Sequence, residues 1–272
     1  MKNILILLVS FSYLMLNAQS SGTLTLQFDN MVGNEDMVLN TKNYKNAMGE
    51  DFNISLFQYY VSNIRLMKSD GSEYAVPQNE SYFLIREQDP KSQTVTLNNV
   101  PKGKYTGIRF VIGIDSLRNT ADISQRKGCL DVGGEAKDMY WAWNSGYIFV
   151  KMEGTSPVIE LNADRKKPIF MYHIGLFGGM GDKKTLNNIK ETKLSFGSKK
   201  LKVKDNTTHY MVIKTDASHI LNGSTNISIA KNPSIMAGPF SAKIADNYNV
   251  MFSFGGFAKS LNTISETKTA MK

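Results

Sequence analysis

The chain has 272 residues, 42% of them hydrophobic, which suffices to bury the core of one large β domain or two smaller domains. Its single cysteine, Cys129, excludes an intramolecular disulfide. The formal net charge is +8, but the basic residues are scattered in small clusters without a basic helix or an aromatic-basic platform. This pattern argues against a nucleic-acid-binding protein.

The first 18 residues are typical of a cleavable secretory signal peptide. Lys2 precedes an apolar run from Ile4 to Leu16, and small and polar residues follow around Ala18. A buried N-terminal helix is the alternative interpretation. The run is too short to span a bilayer and no later run is longer, so we expect no membrane span. Cleavage removes one positive charge, Lys2, and lowers the net charge to +7. We expect a periplasmic or secreted protein.

Hydrophobic residues alternate with polar ones along much of the chain, and this alternation predicts β-strands. In Thr23–Phe28 the side chains of Leu24, Leu26 and Phe28 fall on one face. Phe52–Met67 is long enough for two strands or one bent strand. Further strands are predicted at Ser81–Ile85, Thr94–Val100, Tyr105–Ile114, Tyr147–Glu153, Ile169–Gly175, Lys193–Phe196, Leu201–Lys204 and Met211–Thr215. Turns rich in Gly and Pro separate them, which favours an antiparallel sandwich or barrel.

One helix is predicted near the C-terminus. In Phe240–Phe252, the residues Phe240, Ile244, Tyr248 and Met251 follow at spacings of four, four and three, which gives an apolar stripe on one face. We expect this short helix to pack on the sheets. Residues 255–272 are polar and rich in Lys, Ser and Thr, so we expect a loose tail after one folded domain, residues 19–254.

Both tryptophans of the chain lie in the segment Met139–Tyr147, which reads Met-Tyr-Trp-Ala-Trp-Asn-Ser-Gly-Tyr. In an extended segment Trp141 and Trp143 would point to the same face. Two adjacent indoles bury a large area, so a packing role in a core or an aromatic lid is one interpretation and a binding site is the other.

His173 is the second candidate functional residue. Strand alternation places it on one face with Met171. A neutral imidazole is a general ligand for transition metals, and thioethers suit Cu(I). The candidate thioethers are those of Met139, Met152, Met171 and Met180. A hydrogen-bonded core histidine is the alternative interpretation.

Motifs of zinc sites and of catalysis do not occur in the sequence. It contains no HExxH, CxxC, GxSxG or glycine-rich phosphate loop. Asp115, Ser116 and Asp122 have no companion signature of acid chemistry, and Ser116 and Asn119 fit capping or turn positions. We therefore expect a binding protein and not an enzyme.

The tryptophan segment and its downstream histidine carry a resemblance to the MbnP-like copper-binding family, in the form common among exported proteins of Bacteroidetes. The most specific motifs are W-x-W-x-x-G-Y, from Trp141 to Tyr147, and H-I-G, which starts at His173. The resemblance runs in order through Phe57–Ser72, Ser81–Pro90, Asn99–Ala121, Met139–Gly154 and Tyr172–Gly175, and resumes at Lys243–Phe252.

The resemblance implies an antiparallel Greek-key β-sandwich that binds copper. In one branch of the family, a di-haem cytochrome c peroxidase-like partner oxidises a tryptophan to kynurenine, which joins the copper site. By this resemblance His173 is a copper ligand, and Trp141, Trp143 and Met139 line or join the site. Cys129 stands where the family pattern has a small apolar residue. A metal-free β-sandwich module that binds a ligand or another protein through its aromatic face is the alternative function.

Overall fold

The structure is a computed structural model that describes residues 20–143 and 146–261. Strands dominate this part of the chain, as the alternation predicts. The strands are β1 (Ser21–Val32), β2 (Glu35–Asp36), β3 (Tyr44–Lys45), β4 (Asp51–Lys68), β5 (Glu73–Ala75), β6 (Tyr82–Arg86), β7 (Thr94–Pro101), β8 (Gly103–Ile112), β9 (Tyr140–Trp141), β10 (Gly146–Thr155), β11 (Ile169–Gly175), β12 (Phe177–Met180), β13 (Lys183–Asn187), β14 (Lys190–Ser195), β15 (Leu201–Val203), β16 (Thr208–Asp216), β17 (Ser234–Ile235) and β18 (Phe252–Ala258).

Helices are few and short in the same residues. The α-helices are α1 (Ser116–Asn119) and α2 (Pro239–Tyr248), and single 3₁₀ turns lie at Gln78–Glu80, Ile123–Gln125, Gly128–Leu130, Lys137–Met139 and Ala217–Ile220. The predicted mainly β fold with a short C-terminal helix is therefore confirmed. No helix of the described residues is long and apolar enough to cross a membrane.

The strands form two large sheets and one separate ribbon. The first sheet has the order β18-β16-β1-β2, with β7 also paired to β1. The second follows the path β14-β8-β4-β10-β11-β17, with five further short strands attached, and β12 pairs with β13 outside both. Most neighbours are antiparallel, as predicted. Among the described strands, β1 pairs with β16 and β11 pairs with β17 in parallel. The sequence did not predict these parallel pairs, because alternation within one strand does not reveal the direction of its partner.

The two sheets pack against each other across a shared apolar core. Leu24, Leu26 and Phe28 of β1 are all fully buried, as their alternation predicts. The ring of Phe28 makes edge contacts with Tyr59 of β4 and Phe110 of β8, at centroid distances of 6.3 and 6.2 Å. These contacts join the first sheet to the second, and edge-to-face contact is a preferred arrangement of aromatic rings.

The long apolar segment around residue 60 forms one bent strand, β4. Its pairing with β8 shifts register between Ser62 and Arg65, and Asn63 adopts a positive φ of 53°. A bulge of this kind bends a strand and increases its twist. The same strand therefore pairs with β10 at its start and with β8 further along.

The C-terminal region differs in detail from its prediction. Helix α2 ends at Tyr248, and Phe252 begins strand β18, which pairs with β16. Gly255 to Ala258, which the composition assigns to a loose tail, therefore lie in a sheet. Residues 262–272 of the predicted tail and residues 1–18 of the predicted signal peptide lie outside the described residues.

A second apolar cluster covers the outer face of the second sheet. In β4 the side chain of Tyr59 faces the shared core, whereas Tyr60 points to the opposite side. The segment of residues 114–141 folds over that side. The buried members of this outer cluster are Tyr60, Leu84, Ile114, Leu130, Ala136, Met139, Trp141, Tyr147, Ile148, Phe149, Leu176 and Phe177. The outer cluster positions the tryptophan segment on the sheet.

Candidate functional site

The two tryptophans contact each other at the tip of a hairpin. Trp141 ends β9 and pairs with Gly146 of β10, while Trp143 lies in the turn between these strands. The indole centroids are 5.1 Å apart with an interplanar angle of 37°. Trp141 is 5% exposed and Trp143 is 65% exposed. One indole is therefore part of the outer cluster and the other is available to solvent.

Trp141 lies directly on the backbone of β11. A Cβ atom on Gly175 would be 2.8 Å from Trp141 Cζ3 and 2.5 Å from the carbonyl oxygen of Tyr147, so only glycine fits here. His173 precedes Gly175 by two residues in the same strand, and alternation places the two on one face. The fold thus brings the histidine and the tryptophan hairpin to one side of the sheet.

The imidazole of His173 is held by a carboxylate from the neighbouring strand. His173 Nε2 is 2.7 Å from Glu153 Oε1, and the side chain of His173 is 12% exposed. Lys151, which lies directly opposite His173, has its ammonium 3.5 Å from the same carboxylate oxygen. The hydrogen bond with His173 is the main reason why the pKa of Glu153 is lowered, and it outweighs the opposing effect of burial.

This pairing leaves the second ring nitrogen of His173 for another partner. A neutral imidazole that donates from Nε2 to Glu153 keeps an acceptor lone pair on Nδ1. Metal-binding histidines commonly donate their other N–H to a carboxylate, which fixes the tautomer and the orientation of the ring. Glu153 is therefore a positioning residue for His173. It lies in a predicted strand, but the sequence does not reveal the register that places it beside His173.

The candidate thioethers lie in different environments. Met139 is buried in the outer cluster with Trp141. Met171 is half-buried and lies opposite Glu153, on the face of β11 that carries His173. Met152 points into the shared core, and Met180 is 65% exposed. Met171 is therefore the thioether that shares a strand face with His173.

Cys129 is partly buried against the outer cluster. Its thiol donates a hydrogen bond to the carbonyl oxygen of Tyr82, at 3.3 Å. Burial raises the pKa of Cys129 to about 12, so the thiol is protonated at neutral pH. A protonated thiol is a poor nucleophile and a poor metal ligand.

The donor set around His173 is mixed. Within residues 20–143 and 146–261, no three His, Cys, Asp or Glu side chains group together in a way that would hold a metal ion. Any metal site there would need donors of another kind. The strand face around His173 supplies an imidazole and the thioether of Met171, which are softer than a carboxylate cluster and closer to the ligands copper prefers. The indoles have no lone pair for a metal and can only line such a site.

Two packed sheets, with a tryptophan hairpin and a histidine–carboxylate pair on one outer face, define a mainly β-sandwich protein with a candidate site on that face. The sequence pattern of the MbnP family matches residues 21–237. The chain therefore belongs to the MbnP family.

Among solved structures, the fold is similar to that of MbnP from Methylosinus trichosporium. The TM-score is 0.53, the sequence identity is 16%, and the alignment covers 87% of this chain and 98% of that one. At this identity the likeness concerns the fold. No curated protein matches the chain.

Proposed function

We propose that this protein is exported and binds copper on the outer face of its second sheet, in a binding role without turnover. The observation that carries the proposal is the contact of Trp141 with Gly175, two residues from His173 on one strand face. This contact supports a shared site because it links the tryptophan motif to the strand that carries the histidine motif, and these are the motifs through which the sequence resembles the copper-binding family. Membership of the MbnP family, whose sequence pattern matches residues 21–237, also supports the proposal.

The residues of this face have distinct roles in the proposal. His173 would bind copper through Nδ1, since Nε2 is occupied by Glu153. Met171 would add a soft sulfur ligand. An unmodified indole N–H is a donor only, so Trp141 and Trp143 line the site as they stand. Bound copper would supply a redox-active, soft metal ion.

Oxidation of a tryptophan to kynurenine would change that role. Kynurenine carries an aniline nitrogen and a ketone, both with lone pairs for a metal. Trp141 contacts the strand of His173, while Trp143 is exposed to solvent, where a di-haem peroxidase-like partner would reach it, and its ring contacts that of Trp141. The proposal therefore assigns the metal-facing position to Trp141 and the partner-facing position to Trp143.

Copper titration of the mature chain tests the proposal. The chain is exported to a bacterial periplasm, purified and titrated with Cu(I) in competition with a chromogenic chelator. Replacement of His173 by Ala is expected to weaken Cu(I) binding at least ~10-fold, and Glu153→Gln to weaken it about tenfold through the loss of ring orientation. The matched control is His219→Ala, which replaces a histidine near α2, and it should bind Cu(I) as tightly as the wild type does. Equal affinity of wild type and His173→Ala would refute the site.

Fragmentation mass spectrometry tests the modified tryptophan. The chain is co-expressed with and without a di-haem peroxidase, and the Met139–Tyr147 peptide is analysed. Conversion of tryptophan to kynurenine exchanges one carbon atom for one oxygen atom in the residue. We expect this mass change at one tryptophan only when the peroxidase is present. An unmodified peptide in both samples would remove kynurenine from the proposal and leave His173 with Met171.

A metal-free interaction module is the second candidate function. The exposed ring of Trp143 favours it, because an indole held in place by a second indole is a ready surface for a sugar or a protein. This function would be preferred if the folded wild-type protein takes up neither Cu(I) in that titration nor Cu(II) in a parallel titration.

A further inference from the structure

A cavity of about 460 Å³ lies between the turn at Gln78–Glu80, the start of β6 and the segment of residues 118–130. Its volume lies within the range of about 300–1,000 Å³ that is common for small-molecule sites. Its described lining contains two basic residues, Arg118 and Lys127, and no Asp or Glu. We propose that this cavity binds a small organic anion. The proposal is independent of copper binding.

The positive charges of the cavity have no ion-pair partner in the described residues. Arg118 donates to two neutral oxygens, Asn79 Oδ1 at 2.7 Å and the carbonyl of Gln125 at 3.2 Å. Its guanidinium also lies over the ring of Tyr82, 5.2 Å from the centroid. Lys127 forms no salt bridge within residues 20–143 and 146–261. Arg118 is therefore fixed in place without a carboxylate paired to its guanidinium in the described residues.

Two acidic residues beside the cavity, Asp115 and Asp122, hold its wall by hydrogen bonds. Asp115 accepts a hydrogen bond from the backbone N–H of Arg118 at 3.0 Å and from the hydroxyl of Tyr82 at 2.5 Å. Asp122 accepts from the backbone N–H of Ser124 at 2.9 Å. Both carboxylates cap short helical turns, at Ser116–Asn119 and Ile123–Gln125. They hold the wall in shape without forming a salt bridge to either cation.

The unused N–H donors of Arg118 indicate which kind of ligand the cavity would bind. A guanidinium has five N–H donors, and Arg118 uses two of them on Gln125 and Asn79. Those that remain form part of a planar fork, which matches a carboxylate or a phosphate group. Lys127 adds a second positive charge, and Ser124 contributes a hydroxyl. A carboxylate and a phosphate both present negatively charged oxygen atoms, so the expected ligand is a small molecule that carries either group.

Calorimetric titration of the mature chain at low ionic strength tests the proposal. The probes are succinate, as a carboxylate, and inorganic phosphate; succinamide is the uncharged control of the same shape. We expect one of the two anions to bind and succinamide not to bind. Lys127→Gln should weaken anion binding about fivefold, the effect of one partly exposed charge pair. Lys202→Gln, on β15, is the matched control and should leave the affinity unchanged.

A second variant examines the guanidinium fork. Arg118→Lys keeps the charge and loses the fork, and it should weaken succinate or phosphate binding further than Lys127→Gln does. If Arg118→Lys unfolds the loop, Lys127→Gln alone decides the matter. Absence of heat with both anions would overturn the proposal. Equal weakening by Lys127→Gln and Lys202→Gln would overturn it too, because the effect would then come from overall charge.

Discussion

Replacement of Gly175 by Ala is expected to disturb the contact on which the proposed site depends. The new methyl group would be 2.5 Å from the carbonyl oxygen of Tyr147 and 2.8 Å from Trp141 Cζ3. Both distances are shorter than real Cβ atoms tolerate. The carbonyl belongs to strand β10, which is paired with β11, and the indole is 5% exposed within the outer cluster. Neither neighbour can move without disturbing a packed element.

The magnitude follows from two opposing effects on stability. Overpacking of this kind costs ~1–3 kcal/mol, and two blocked directions place Gly175→Ala near the upper end. Alanine also lowers the entropy of the unfolded chain, which stabilises the folded state by ~0.4–1 kcal/mol. The net loss in free energy of unfolding is then ~2 kcal/mol. For a domain of this size that corresponds to a Tm lower by ~4–8 °C.

Thermal unfolding monitored by tryptophan fluorescence measures both the stability and the position of Trp141. We expect the lower Tm together with a shift of the emission maximum, because both tryptophans of the chain lie at this hairpin. Gly133→Ala is the matched control, since a Cβ there meets only an ordinary contact of 3.5 Å with Asp131. It should leave both quantities unchanged. An unchanged Tm and an unchanged emission for Gly175→Ala would refute the packing of Trp141 on β11.

Two further substitutions test the core and a partly buried carboxylate. Phe28→Ala should lower the free energy of unfolding, measured in urea, by ~3–5 kcal/mol, because this ring joins the two sheets. The control Leu117→Ala, at an exposed position, should change it by no more than ~0.5 kcal/mol. Similar losses for the two variants would contradict the shared core. Burial alone would raise the pKa of Glu50, but hydrogen bonds from four donors, among them the N–H groups of Ile229 and Ala230, lower it below its ordinary 4.5. Glu50→Gln should therefore lower the free energy of unfolding by ~1–3 kcal/mol at pH 7. The difference from wild type should shrink as the pH falls below 4.5, since a carboxylate with a lowered pKa stabilises the fold only while it is ionised. A difference independent of pH would contradict this role.

Local sequence patterns predicted most of the strands and the helix of this protein. The alternation in β1 identified Leu24, Leu26 and Phe28 as one buried face, and the spacing of Ile244 and Tyr248 identified helix α2. Such patterns are set by the period of a single element, so they can be read without a partner. The first residues of the predicted tail belong to strand β18, which local patterns did not predict. This strand contains Gly255 and Gly256, and only its pairing with β16 shows that it is a strand.

The motifs alone left Trp141 and His173 as two separate candidates with packing roles as open alternatives. The tertiary structure decided that Trp141 packs on Gly175 and that Glu153 holds His173. Both contacts depend on the register of β10 against β11, with a shift between Ile148 and Val150. Register is a property of two strands together, and a slip of one residue would turn His173 to the opposite face. The sequence by itself therefore determined the elements and the family resemblance, while the pairing of strands decided which side chains meet.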